Sequence, residues 1–83
     1  MREVVIDTET TGLSYKMGDR VIEVGCVELI NHVATSRSLQ FYCNVDKEIS
    51  EAAQKITGIT NKFLANKKNF SDHCDEFLEF ISD

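Results

Sequence analysis

Asp7 and Glu9 are carboxylates two residues apart, and they follow directly on the apolar, β-branched run Val4, Val5 and Ile6. In a strand, successive side chains point to opposite faces, so Asp7 and Glu9 share one face and Thr8 takes the other. Two neighbouring carboxylates repel, and burying either alone is costly, so a buried strand that ends in such a pair calls for a cation. One or two carboxylates, completed by water and a substrate phosphate, make the hard oxygen set that Mg²⁺ accepts. Thr10, Thr11 and Gly12 come next. These small residues allow a tight turn and place backbone N–H groups and hydroxyls where a nucleotide can approach.

The element that must carry the pair is a strand over residues 3–8, and its consecutive apolar residues suit coverage on both faces. Gly12 and the polar stretch 14–19 predict a loop. Residues 20–30 predict a second strand, and Asn31 with His32 a turn. Residues 38–45 alternate, with Leu39, Phe41, Cys43 and Val45 on one face and Ser38, Gln40, Tyr42 and Asn44 on the other. That pattern fits a strand with one wet face, nearer the edge of a sheet.

Ser50 is placed to cap a short helix that stops at Gly58, and Thr60 to cap a second short turn with Phe63 and Leu64. The last segment is helical: Phe70, Cys74, Phe77, Leu78 and Ile81 form an apolar stripe, while Asp72, Asp75, Glu76 and Glu79 face water and Phe80 lies off the stripe. Three strands joined by short turns and followed by helices make an α+β layer. A doubly covered first strand needs more neighbours than these elements provide, so part of the sheet is expected to be missing.

Eighty-three residues make one domain at most, and a chain of this length buries roughly 60% of the surface its unfolded form exposes. Hydrophobic content of 42% and charged content of 28% are ordinary for a soluble globular protein. No apolar run is long enough to span a membrane, and Glu3 and Asp7 flank the first one, against a signal peptide. Three cysteines in no zinc-like spacing are expected to be reduced thiols in a cytoplasmic protein. A net charge of −5 argues against a protein that coats DNA through basic residues, but not against a nuclease whose bound cations supply the positive charge.

The string Asp7-Thr8-Glu9-Thr10-Thr11-Gly12 resembles the first motif of the DEDD 3′→5′ exonuclease family, and above all its branch of epsilon proofreading subunits of bacterial DNA polymerase III. The likeness continues through Gly18-Asp19-Arg20-Val21-Ile22-Glu23-Val24-Gly25-Cys26-Val27-Glu28-Leu29, through Phe41-Tyr42 and Ile56-Thr57-Gly58-Ile59-Thr60, to Asp75-Glu76-Phe77-Leu78-Glu79-Phe80-Ile81. It implies a ribonuclease H-like exonuclease fold, of which residues 1–83 would be the N-terminal part, a three-stranded antiparallel sheet followed by helices. It also implies two-metal hydrolysis, with Mg²⁺ or Mn²⁺, of the terminal phosphodiester at a single-stranded 3′ end of DNA. By the same resemblance Asp7 and Glu9 are the catalytic and metal-holding residues, Thr8, Thr10 and Thr57 contact the nucleotide, and DNA polymerase subunits are partners.

The family's second and third motifs, with two further carboxylates and a catalytic histidine, have no match among these residues and are expected beyond residue 83. Thr57 stands where proofreading subunits often carry histidine. His32 and His73 are expected to be ordinary surface residues, and Glu23 and Glu28, at odd separation on one strand, to point to opposite faces. With two carboxylates alone, weak binding of a single ion and no turnover are expected. The alternative is a non-catalytic interaction module, or a chain that forms a homo-oligomer through an exposed sheet edge.

Overall fold

The structure, a computed structural model, describes residues 1–12, 16 and 18–82. Half of the polar loop expected over residues 14–19 lies outside that set. Three strands, β1 (Arg2–Thr10), β2 (Val21–Ile30) and β3 (Val33–Tyr42), form an antiparallel sheet in the order β1-β2-β3. Helices α1 (Glu51–Thr57), α2 (Asn61–Leu64) and α3 (Phe70–Ile81) follow. This is the arrangement of strands followed by helices that the residue pattern predicts.

Local chemistry accounts for most boundaries. Asn31 and His32 both take positive φ (49° and 68°), the twisted turn that matches the twist of the strands it joins. The Ser50 hydroxyl accepts from the N–H of Ala53, and Gly58 ends α1 in the left-handed region at φ 74°. The Thr60 hydroxyl caps α2 in the same way, accepting from Phe63. The start of β3 is the exception. It begins at Val33 rather than Ser38, because Val33 and Ala34 already pair with Ile30 and Leu29 before an irregularity that resumes at Ser38 opposite Val27 and hides the alternation.

Two clusters make the core. On one side of the sheet, Val24, Cys26, Phe41 and Cys43 are buried beneath Phe80 of α3, with Phe77 and Ile81 beside it. On the other, Ile22, Ile49, Ile59 and Leu64 pack with Tyr42, Val45 and Ala53. A bulge explains how adjacent residues of β2 reach opposite clusters. Glu9 pairs with Glu23 but Thr10 with Val21, so Ile22 is the extra residue and turns away from the α3 side. Val45 joins Ile22 and not Phe41, because β3 ends at Tyr42 and the alternation expected to run through residue 45 stops there.

Two further expectations are corrected. Phe80 is buried, not off to one side, and Leu78 is exposed. The reason is a knot at the end of α3. Arg2 Nε donates to Glu28 Oε2 (2.6 Å), its Nη1 donates to the Ser82 carbonyl (2.9 Å), and its Nη2 donates to the Phe80 carbonyl. Arg2 and Arg37 lie 5.7 and 5.5 Å from the centroid of the Phe80 ring, a cation–π arrangement.

His73 is not an ordinary surface residue. Its ring stacks on Phe41 with centroids 4.3 Å apart, and its Nε2 is buried without a hydrogen-bond partner among the described residues.

β1 is an edge strand, and Val5 and Ile6 are 52% and 46% exposed. Among the described residues β2 pairs with one edge and no element lies over Val5, which fits the expectation that its apolar run asks for more neighbours than these elements provide. The total accessible surface of 5981 Å² exceeds the roughly 5000 Å² of a compact protein of this mass. The radius of gyration of 14.0 Å likewise exceeds about 12 Å. The core is thin where β1 stands.

Candidate functional site

Asp7 and Glu9 lie on one face of β1, as alternation requires. Across the sheet Asp7 pairs with Gly25 and Glu9 with Glu23; on β3 these continue to Gln40 and Tyr42. The face thus reads as two rows, Asp7–Gly25–Gln40 and Glu9–Glu23–Tyr42. Among the described residues a Cβ added to Gly25 would meet nothing within 4 Å, so the space beside Asp7 is open to them. Asp7 is exposed and Glu9 half-buried. Along the strand the two residues are about 6.8 Å apart, close enough for both carboxylates to turn toward one ion.

Glu23 and Glu28 do point to opposite faces. Glu23 accepts from Gln40 Nε2 (2.7 Å), which ties the second strand to the third next to Glu9. Glu28 is buried on the α3 side, where Arg2, Thr35 and Arg37 all donate to it. The hydrogen bond from Arg2, then that from Thr35, hold its carboxyl below the usual glutamate range, and the Arg37 charge adds to this. Glu28 is therefore structural.

The turn after Glu9 contains an arrangement that spacing alone did not reveal. The Thr11 side chain is 1% exposed; its Oγ1 donates to Asp19 Oδ1 (2.9 Å) and accepts from the Arg20 N–H (3.0 Å). The Thr11 N–H in turn donates to the Arg20 carbonyl (2.9 Å). Asp19 lies so close over Gly12 that a Cβ there would meet its carboxylate at 2.6–2.8 Å. Gly12 is thus required by close approach, and Asp19, one of several acids without an assigned role, fastens the turn to the start of β2. The cue in the sequence was Gly12 itself, a glycine with an acid seven residues on, but only the fold brings the two together.

The remaining candidates are less concentrated. Thr8 points away from the carboxylates and pairs with Val24. Thr10 donates to the Gly12 carbonyl (2.6 Å) and lines a cavity of about 770 Å³ with Gly12, Asp19, Arg20, Lys47 and Asn69. Asp7 and Glu9 lie outside that cavity. Thr57 donates to the Ala53 carbonyl (2.9 Å) and accepts from the Ile59 N–H (3.1 Å), so its hydroxyl closes the end of its own helix.

No group of three or more His, Cys, Asp or Glu residues able to hold a metal gathers among the described residues. Asp7 and Glu9 are hard oxygen donors that suit one Mg²⁺ or Mn²⁺ completed by water. They do not by themselves suit a pair of ions. Cys26 and Cys43 are buried free thiols; burial raises both, and with Cys74 nearby Cys43 is pushed up to about 11. Neither is a nucleophile at neutral pH. No helix among the described residues is long and apolar enough to cross a membrane.

The sequence profile of the family described as Exonuclease (RNase_T) matches residues 4–83. The DNA polymerase III subunit epsilon of Rickettsia conorii is 45% identical over 83 residues, all of this chain and 36% of that protein. That of Escherichia coli K12 is 34% identical over 84 residues, 96% of this chain and 35% of that one. The chain therefore spans about a third of the length of the curated relatives it matches.

Among solved structures, E. coli exonuclease I in complex with a dT13 oligonucleotide superposes with a TM-score of 0.80 at 22% identity, over 94% of this chain and 18% of that one. Exonuclease X in complex with 5′-overhanging duplex DNA does so with a TM-score of 0.75 at 26% identity, over 89% and 42%. The sheet and helices are those of the ribonuclease H-like exonuclease fold. The chain belongs to the exonuclease family.

Proposed function

We propose that residues 1–83 form the first part of a single 3′→5′ exonuclease domain of the proofreading kind. In it, Asp7 and Glu9 hold a catalytic divalent ion against the single-stranded 3′ end of DNA. The observation that carries this is the shared face of Asp7 and Glu9, open above Gly25 and set at the end of a paired strand. Exonucleases of this family use divalent metal ions. Mg²⁺ or Mn²⁺ fits two carboxylates and water better than a softer ion does.

In a two-ion site one ion would supply a hydroxide from water and the other would stabilise the leaving 3′ oxygen. The chain's own part is to aim the two carboxylates, and the Thr11–Asp19 fastening holds the turn that follows them. Thr8, Thr10 and Thr57 are proposed nucleotide contacts on the family resemblance alone. Polymerase subunits are proposed as partners because the curated relatives are DNA polymerase III subunits.

The 83 residues alone are expected to release no mononucleotides, since two carboxylates cannot hold two ions. A chimera tests the reading. Residues 1–83 replace the matching third of the R. conorii subunit, and release from a 5′-labelled single strand is followed in Mg²⁺. Stepwise shortening from the 3′ end, lost on Asp7→Ala, is expected. An active chimera indifferent to Asp7→Ala, or one that shortens the strand from its 5′ end, overturns the assignment.

A second use is favoured by one observation, the uncovered edge of β1 with Val5 and Ile6 exposed. Such an edge pairs readily with another strand. A non-catalytic chain that binds a partner or a second copy there would sediment as a complex whose mass falls on Val5→Lys, with Mn²⁺ binding unaffected.

A further inference from the structure

The chain is acidic overall, yet residues 60–69 contain three lysines and no acid. Within that segment α2 has a single buried residue, Leu64, which anchors it to the second core cluster. Phe63, the neighbour of Leu64, is 45% exposed. Its ring meets that of Tyr42 edge-on, with centroids 4.8 Å apart. Lys67 Nζ lies 4.7 Å from the Phe63 centroid and 6.0 Å from that of Tyr42. Lys62 and Lys68 are their neighbours in sequence and are exposed. Core packing does not require an exposed aromatic beneath a lysine.

Position adds a second argument. Tyr42 ends the row that begins at Glu9 and passes through Glu23. Two strand spacings, roughly 10 Å, separate Glu9 from Tyr42, and Phe63 is the next ring beyond. A strand of nucleic acid whose end lies at Asp7 and Glu9 meets carboxylates on the near part of this face, which repel its phosphates. At Tyr42 and Phe63 aromatic rings and the cationic Lys67 are presented instead.

We infer that Tyr42, Phe63, Lys62, Lys67 and Lys68 form a stacking and phosphate-binding platform for single-stranded nucleic acid a few nucleotides from the end held at Asp7 and Glu9. The choice of ligand rests on the exonuclease reading; the platform itself rests on the rings and charges described. Base–aromatic stacking tolerates any sequence, and lysines give the salt-dependent part of the affinity.

The test is fluorescence anisotropy of a 5′-labelled dT12 with the 83-residue chain in EDTA, over a series of salt concentrations. Lys62→Glu with Lys68→Glu is expected to weaken binding at least tenfold at low salt. It also lowers the slope of log affinity against log salt by about 1.4, at 0.7 per phosphate. Phe63→Ala is expected to weaken binding roughly tenfold with the slope retained. Both variants keep the wild-type circular dichroism and wild-type Mn²⁺ binding, which separates the platform from the carboxylate site. Failure of the wild type to bind dT12, unchanged affinity and slope in both variants, or equal displacement of dT12 by polyglutamate would overturn the inference.

Discussion

Asp7 stands directly across the sheet from Gly25, and none of the described residues occupies the space that a Cβ of Gly25 would enter. The room beside the carboxylate is therefore supplied by a missing side chain on the neighbouring strand. Gly25→Ala is expected to be accepted and to raise stability by about 0.4–1 kcal/mol through the unfolded chain's lost freedom. Gly25→Leu extends a branched side chain over Asp7 and is expected to weaken Mn²⁺ binding severalfold without unfolding the protein. Thermal melts and Mn²⁺ titrations of both variants check this.

The fastening of Gly12 under Asp19 makes a sharper demand. Gly12→Ala sets a methyl group against a carboxylate that Thr11 holds in place, with an expected loss of about 1–3 kcal/mol. Asp19→Ala removes that carboxylate and leaves the buried Thr11 hydroxyl without its acceptor, an expected loss of about 1–3 kcal/mol. In the double variant the steric part vanishes, so the two losses are expected not to add. Urea unfolding of the three variants measures the coupling.

Glu28 gives the fold a dependence on acid. Its folded carboxyl titrates below the unfolded value of about 4.3 because Arg2 and Thr35 donate to it. The unfolded chain then takes up the proton first as pH falls. The stabilisation is therefore complete above about pH 4.3 and is lost as pH drops through the lowered folded value. Glu28→Gln is expected to be less stable at neutral pH and to show a shallower loss of stability below pH 4.3. Chemical unfolding at several pH values tests both parts.

The thiols should separate by burial. Cys74 is half-buried, whereas Cys26 and Cys43 are buried and raised, Cys43 to about 11. At pH 8 one equivalent of a thiol reagent is expected to react quickly, at Cys74, and the other two only on unfolding. Peptide mapping after partial labelling identifies the site.

Much of this architecture was legible in advance because it is local. Ser50, Gly58, Thr60 and the Asn31–His32 turn act on neighbours within a few residues, so residue type is enough to place them. The shared face of Asp7 and Glu9 needs only the two-residue period of a strand. What escaped depends on residues distant in sequence. Phe80 is buried because Arg2, some eighty positions earlier, binds the carbonyls at the end of α3. His73 is drawn inward by Phe41. Asp19 carries a role only because the turn after Glu9 folds back beneath it. The exposure of β1 follows from its apolar run, which asks for more neighbours than the elements after it provide.

The measurement that bears most directly on the central claim is Mn²⁺ binding by the 83-residue chain, followed by the relaxation of water protons. A single saturable site with a dissociation constant of roughly 10⁻³ M, the weak end for carboxylate sites, is expected. Asp7→Ala is expected to abolish it, and Asp46→Ala, on an exposed acid far along the chain, to leave it intact. Absence of saturable binding, or binding that Asp7→Ala leaves unchanged, would contradict the assignment of these two carboxylates to a metal.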